Sequence, residues 1–448
     1  MTSPDQTSDI QGSNDCDVLV IGGGPAGSTV AALLAERGHR VVVLEKDRHP
    51  RFHIGESLLP LNLPLFERLG VADEIERIGM LKLGAEFVSP VHGKSITYLF
   101  ANALDKSLPH AYQVRRSEFD QVLLKNARAK GATVIEECKV TAVTFLADGG
   151  ALATARHGDG QISRWRTRFV VDASGRDTLL ANQFGIKRRN PKHASAALFG
   201  HFSGAKRHPG TAAGNISIFW FDHGWFWFIP LADGATSVGA VCWPYYLKAR
   251  KSDPTTFLHE TIALCPAIAE RLKDAELLGP VTATGNYSYT SERMSGEGYM
   301  MLGDAFAFID PVFSSGVYLA MNSAFLGADT VDVCLRQPHR AARALKQFDA
   351  AIRRGLAAFS WFIYRITTPV FRDLFMHPRD IFRIEQAMLS LLAGDIFRPS
   401  PVHSRLALFK GLYYFMNLLD SRRSFAAWRR RRMAIRDPQA EAATAAAR

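Results

Sequence analysis

Between an apolar run of strand type, Asp17-Val-Leu-Val-Ile21, and an Ala- and Leu-rich helical run, Ser28 to Arg37, stands Gly22-Gly-Gly-Pro-Ala-Gly27. Strand, tight turn and helix in immediate succession leave a chain few folds to adopt. In the spacing G-x-G-x-x-G, Gly22 permits the turn and Gly24 lets backbone approach a pyrophosphate. Gly27 lets the helix pack on the strand, and phosphate charge sits at the helix N-terminus, beside Ala26. A glycine-rich turn without a ligand is the plain alternative. Against it, Val41-Val-Val-Leu44 makes a second strand, and Glu45 closes it eighteen residues after Gly27. An acid there accepts ribose hydroxyls, with Lys46 alongside. The expected site is therefore one for a dinucleotide.

With 448 residues, 47% of them hydrophobic, the chain can bury an ordinary globular core. Residues 1–15 are polar and lack the apolar stretch of a secretory signal, so they read as a disordered tail. The late apolar segment Gly355 to Tyr364 is closed by Arg354 and Arg365, far short of the roughly 20 residues of a spanning helix. Cys16, Cys138, Cys242, Cys265 and Cys334 are scattered, with no C-x-x-C pair and no His at ligand spacing. Reduced thiols in the cytoplasm and no metal site are expected. The net charge of +11 favours acidic partners, and much of it sits late. Arg422, Arg423, Arg429, Arg430, Arg431, Arg432 and Arg436 interleave with Phe425 and Trp428. Either this is a solvated helix end, or it docks an acidic protein or a membrane surface; no nucleic-acid motif accompanies it.

Two later segments decide which dinucleotide. Phe169-Val-Val-Asp172-Ala-Ser-Gly175-Arg176 and Tyr299-Met-Met-Leu-Gly303-Asp304 are both strands running into small-residue turns. Asp304 is placed to accept ribityl or phosphate-side hydroxyls. With these pieces the sequence resembles, over about residues 15–345, the two-domain FAD-dependent oxidoreductases that include aromatic hydroxylases, geranylgeranyl reductases and flavin-dependent halogenases. Val114-Arg115-Arg116-Ser-Glu-Phe119-Asp120 is similar to that family's helix-opening segment beside FAD, with Arg116 in its arginine position.

Gly224-Trp225-Phe-Trp227-Phe-Ile229-Pro230 matches W-x-W-x-I-P, the signature of flavin-dependent halogenases. Alternate residues of a strand share a face, so Trp225, Trp227 and Ile229 form one bulky wall near the flavin. A plain aromatic core strand is the other reading, and the two are compatible. Phe308-Ile-Asp310-Pro311-Val-Phe313-Ser314-Ser315-Gly316 matches the second signature, F-x-x-P-x-x-S-x-G. A Ser- and Gly-rich turn at a helix start presents unpaired N–H groups, which suits an anion. The resemblance implies halide near Ser315 and Gly316, with Pro311 also against the cofactor. Phe313 stands where tryptophan-type halogenases carry a catalytic Glu, which points to phenols, pyrroles or carrier-bound acyl groups as substrates; Phe313 is counted with the active-site wall.

Gly79-Met-Leu-Lys82-Leu-Gly looks like the family's lysine segment, and Gly55-Glu56-Ser57 like the one lining the flavin, with Ser57 among the cofactor contacts. A snorkelling surface lysine is the plain reading of Lys82. As the catalytic residue it would be desolvated, with a lowered pKa suited to donating a hydrogen bond or acting as an amine nucleophile. The resemblance implies that reduced FAD and O2 oxidise chloride or bromide to hypohalous acid. Lys82 then directs electrophilic halogen to an electron-rich carbon of a small aromatic or acyl-carrier-protein-bound substrate. No second nucleotide cradle is visible, so FADH2 is expected from a separate flavin reductase. An FAD monooxygenase or alkene reductase is the alternative activity.

The expected architecture is α/β: a Rossmann-type FAD-binding fold over 16–345, interleaved with an antiparallel substrate sheet at about 190–290. A helical region over 346–436 and a frayed tail over 437–448 follow. Ala196 to His201, Ile216 to Phe221 and Thr236 to Trp243 supply strands of that sheet. Beyond about Asn322 the pattern turns helical, punctuated by Pro369, Pro378, Pro399 and Pro401. These helices either cap the substrate tunnel or pack as core.

Overall fold

The computed structural model describes residues 14–190, 193–285, 288–378, 380–398 and 400–435. The first strand begins at Asn14, inside the stretch expected as loose tail. The rest of that tail, Pro399, Arg436 and the tail over 437–448 lie outside the described residues.

Strand Asn14–Ile21 is the centre of the nucleotide sheet. It pairs in parallel with Val41–Leu44 on one side and Ile162–Asp172 on the other. Thr133–Ile135 and Tyr299–Met301 extend the sheet outward, also in parallel. The register sets Ile21 level with Leu44 and Asp172, and Asp172 level with Met301. Four strand ends therefore open on one edge, where open parallel sheets bind ligands. Such a sheet must be covered on both faces, which is why Val41–Leu44, residues 18–21 of Asn14–Ile21 and residues 169–171 of Ile162–Asp172 are apolar and buried. Helix Pro25–Glu36 is buried along most of its length and packs against the long helix Gly316–Arg336. That contact brings the second signature to the edge where the first cradle sits.

The expected antiparallel sheet is present with seven strands. Its order is Glu276–Thr284, Ala196–Ser203, Thr236–Cys242, Gly224–Pro230, Ile216–Phe221, Gly84–Ser89 and Lys94–Leu99. Two strands thus come from 84–99, ahead of the stretch expected to supply them, and Ile216–Phe221 joins Gly84–Ser89 in parallel. The alternation read from the sequence holds. Phe226 and Phe228 pack with Phe257, Leu258 and Ile262 of helix Pro254–Ala263 on one face. Trp225, Trp227 and Ile229 belong to the core of the other face. Opposite Trp227, a Cβ on Gly239 would come within 2.2 Å of the indole, so only glycine leaves room for that ring.

The C-terminal helices Ala341–Ile363, Pro369–Met376, Ile384–Ala393 and Val402–Leu419 pack on the tryptophan face of this sheet. The Phe375 ring lies 4.7 Å from Phe87 and 6.3 Å from Trp220. Phe362, Phe371 and Phe409 continue the aromatic cluster. Between the two alternatives for this region, these aromatic side chains are core.

Candidate active site

A cavity of about 970 Å³ runs between the strand ends of the nucleotide sheet and the tryptophan face of the second sheet. Gly22, Gly24, Ala26, Glu45 and Lys46 line it from the nucleotide sheet, its turns and helix Pro25–Glu36, and Trp225, Trp227 and Ile229 from the second sheet. Ser57, Arg116, Asp304, Pro311, Ser315 and Gly316 line it as well.

The glycine turn shows which glycines the fold needs and which it leaves for a ligand. Gly22 has φ +99°, and a Cβ there would meet the Ala173 carbonyl oxygen at 2.5 Å. On Gly27 a Cβ would fall 1.9 Å from the Gly22 carbonyl oxygen, the helix-on-strand contact expected of it; Gly27 does not line the cavity. Gly24 has no internal reason to be glycine, since its nearest neighbour would be Arg51 Nη2 at 3.7 Å. Its open side faces the cavity, as a pyrophosphate approach requires. The buried Glu45 carboxylate accepts from Gly23 N at 2.5 Å and Asp47 N at 2.9 Å, so it holds the turn from the end of the second strand. Lys46 is exposed and pairs with Asp177 at 2.6 Å.

Arg116 sits buried at the start of its helix and grips Asp120 with two hydrogen bonds, 2.7 and 2.9 Å, while Nη1 donates to the Ile54 carbonyl at 2.8 Å. Beside it is Arg51, a cavity residue that sequence reasoning missed. Its Nε and Nη1 are buried without a hydrogen-bond partner, although Asp120 lies 3.4 Å from Nη1, and Asp47 and Glu45 lie 3.7 and 4.0 Å from Nε. Spare guanidinium donors beside the glycine turn suit a diphosphate. Asp304 at the other flank is pushed up to about 6 by desolvation, which the guanidiniums of Arg176 and Arg116 partly oppose. These residues fit FAD.

Lys82 closes the short strand Met80–Lys82 and is 1% exposed. Its Nζ donates to Ser57 Oγ and to the Leu58 carbonyl, both at 2.9 Å, and lies 5.3 Å from the Phe100 ring centroid. Burial alone pulls its pKa from 10.5 down to about 7. The lysine is not itself on the cavity wall; Ser57 is, one hydrogen bond in front of it.

The turn before Gly316–Arg336 is built by Ser314, which adopts φ +55°, and by Asp310. Asp310 accepts from Val312 N at 3.2 Å, Ser195 Oγ at 2.8 Å and His193 Nε2 at 2.9 Å. More than a hundred residues separate Asp310 from those two partners, so no local signal announced them. The first intrahelical bond at this end runs from Leu319 N to the Ser315 carbonyl. The amides of residues 316 to 318 therefore have no acceptor within the helix. A Cβ on Gly316 would meet nothing within 4 Å, so its open side also belongs to the cavity. Phe313 corrects an expectation. It is buried in the core with Val312 and Tyr318 and does not line the cavity, because the short turn Pro311–Phe313 directs it into the helical region.

Glu56 was read only as part of its segment. It is 1% exposed and lines the cavity; Oε1 pairs with His201 Nε2 at 2.8 Å, while Oε2 has no partner.

The FAD binding domain family matches residues 15–337. The chain is 30% identical over 410 residues to the 1H-pyrrole-2-carbonyl-(peptidyl-carrier protein) chlorinase of Pseudomonas fluorescens, covering 86% of this chain and 90% of that one. The solved structure of the myxobacterial chondrochloren halogenase CndH superposes with a TM-score of 0.76 at 35% identity, over 87% of this chain and 92% of that one. A flavoprotein/dehydrogenase from Cytophaga hutchinsonii superposes at 0.82 with 27% identity, over 91% and 100% of the two chains. The fold alone thus leaves the chemistry open. With both halogenase signatures on one cavity wall and the sequence match spanning most of the chain, this protein belongs to the flavin-dependent halogenases and uses FAD, halide and O2.

Proposed function

We propose that the enzyme halogenates an electron-rich aromatic ring, a phenol, a pyrrole or a carrier-tethered acyl group, with Lys82 directing the halogen. The observation that carries this is the buried Lys82 amine one hydrogen bond behind Ser57, on a cavity walled by Trp225, Trp227 and Ile229. FAD, bound in reduced form, supplies the activation of oxygen. Trp225, Trp227 and Ile229 keep water and larger groups from the reacting end. Ser315 and the free amides after it hold the halide, and the Asp310 bonds to Ser195 and His193 hold that turn in shape. With a pKa of about 7, much of Lys82 is neutral at physiological pH. A neutral amine has two N–H groups, which the bonds to Ser57 and Leu58 use up, and keeps a lone pair for electrophilic halogen or for the proton of hypohalous acid.

The chlorinase relative acts on a carrier-bound pyrrole, and its likeness over most of both chains supports a tethered substrate of that kind here. Reduced flavin comes from a separate reductase in the cytoplasm; the five free cysteines support a reducing compartment. No described helix is long and apolar enough to cross a membrane. The test supplies reduced FAD through a flavin reductase, with and without chloride or bromide, to phenols and to carrier-bound pyrrole. Halogenated product that requires halide supports the reading; hydroxylation that proceeds without halide overturns it.

A further inference from the structure

The last two helices present an apolar and basic surface that neither the cavity nor the core uses. Along Val402–Leu419 the buried positions Val402, Leu406, Phe409 and Tyr413 recur at helical spacing and join the aromatic core. A second stripe, Leu408, Leu412, Phe415 and Leu419, recurs at the same spacing on a separate face and is exposed. Leu418 beside it is 73% exposed and Leu419 65%. A helix apolar on two faces has a second face to cover.

Asp420 ends that helix, and Ser421–Ile435 follows with six arginines and no acidic residue. Arg423 ties back to Asp373 at 2.6 Å. Phe425 and Trp428 are exposed and stack on each other with centroids 5.6 Å apart, and the Arg432 guanidinium lies 5.3 Å over the Trp428 ring. Leu418 and Leu419 lie within four residues of Arg422, with Asp420 and Ser421 between, so the aliphatic groups stand close in the chain to the cationic and aromatic ones.

We propose that these two helices seat the enzyme on an anionic membrane surface. The leucine stripe with Phe415, Phe425 and Trp428 enters the acyl boundary, and the arginines reach lipid phosphates. Interfacial helices combine these same groups, and a bilayer covers apolar side chains while answering the cations without shape matching. A second copy of this chain fits less well, because a two-fold contact would set one arginine-rich helix against another. An acidic carrier protein would answer the arginines, yet would also need to cover a stripe of exposed leucines. The contact is interfacial, since no described helix can span a bilayer. This inference is independent of the substrate.

The test sediments the full-length, FAD-loaded enzyme with vesicles of phosphatidylcholine alone or mixed with phosphatidylglycerol. Recovery with the mixed vesicles should exceed that with phosphatidylcholine by about tenfold or more and fall at high salt. Arg422→Glu with Arg429→Glu should abolish it. Leu418→Ser with Leu419→Ser should weaken it at unchanged charge, with the flavin spectrum reporting that each variant is folded. Equal recovery on both vesicles or none on either overturns the proposal. So does a concentration-dependent dimer lost in the serine variant, or retention of an acidic carrier protein by the arginines without vesicle binding.

Discussion

Lys82 Nζ and Ser57 Oγ are 2.9 Å apart, and the hydroxyl stands on the cavity wall while the ammonium stem is wholly buried behind it. On the proposed role of Lys82, the pair separates halogen transfer from flavin chemistry. Lys82→Ala should reduce halogenated product by about 10²-fold or more, the scale of a lost proton-transfer or nucleophilic group. Oxidation of reduced FAD should continue. Lys82→Arg should be as inactive, because a guanidinium keeps its charge and has no lone pair. Product assay beside oxygen consumption reads both.

On the proposed role, in which the neutral Lys82 amine receives the halogen, halogenation should rise with pH through about 7 and level above it. Stability follows the same group. Lys82 is lowered from 10.5 to about 7, so between those values the unfolded chain binds more protons and native stability rises with pH, by at most about 1.4 kcal/mol per unit. Lys82→Met lacks that dependence and should melt higher than the parent at pH 7. The gap should narrow by pH 9. Thermal melts at the two pH values check it.

Gly24→Ala and Gly27→Ala should fail differently. Alanine at 27 meets the Gly22 carbonyl and should cost at least about 1–3 kcal/mol of stability. Alanine at 24 is accepted by the fold and should instead weaken FAD binding about tenfold or more, ~1.4 kcal/mol. Melting temperature and flavin titration distinguish them.

Asp310→Ala removes the acceptor for Ser195, His193 and Val312 N. Leaving buried donors unpaired should cost about 1–3 kcal/mol. The apparent KM for bromide should rise several-fold with little change in that for reduced flavin, as measured by halide titration at saturating flavin.

Gly239→Ala should push Trp227 toward the cavity, costing about 1–3 kcal/mol and raising the KM of bulky substrates more than that of small phenols. Comparing the two substrate sizes tests whether the indole is a wall.

The glycine turn and its acid were legible because phosphate cradles need backbone geometry that only particular residues allow at fixed spacing. The Trp225, Trp227, Ile229 face was legible because strand side chains alternate with period two. Both are local rules. Phe313 was misplaced because its direction depends on a short turn whose course Asp310 sets, with partners at His193 and Ser195. Arg51 and the Glu56–His201 pair carried no spacing of their own to read.

By itself the sequence determined the dinucleotide cradle, which rests on local spacing and residue type, and its later motifs led to FAD and the class of chemistry through the family they resemble; the two strands over 84–99 were not legible in it. Tertiary structure decided that Lys82 lies buried behind Ser57. Desolvation depends on every strand and ring packed around an amine, and the Phe100 ring and the Leu58 carbonyl reach it only in the folded chain.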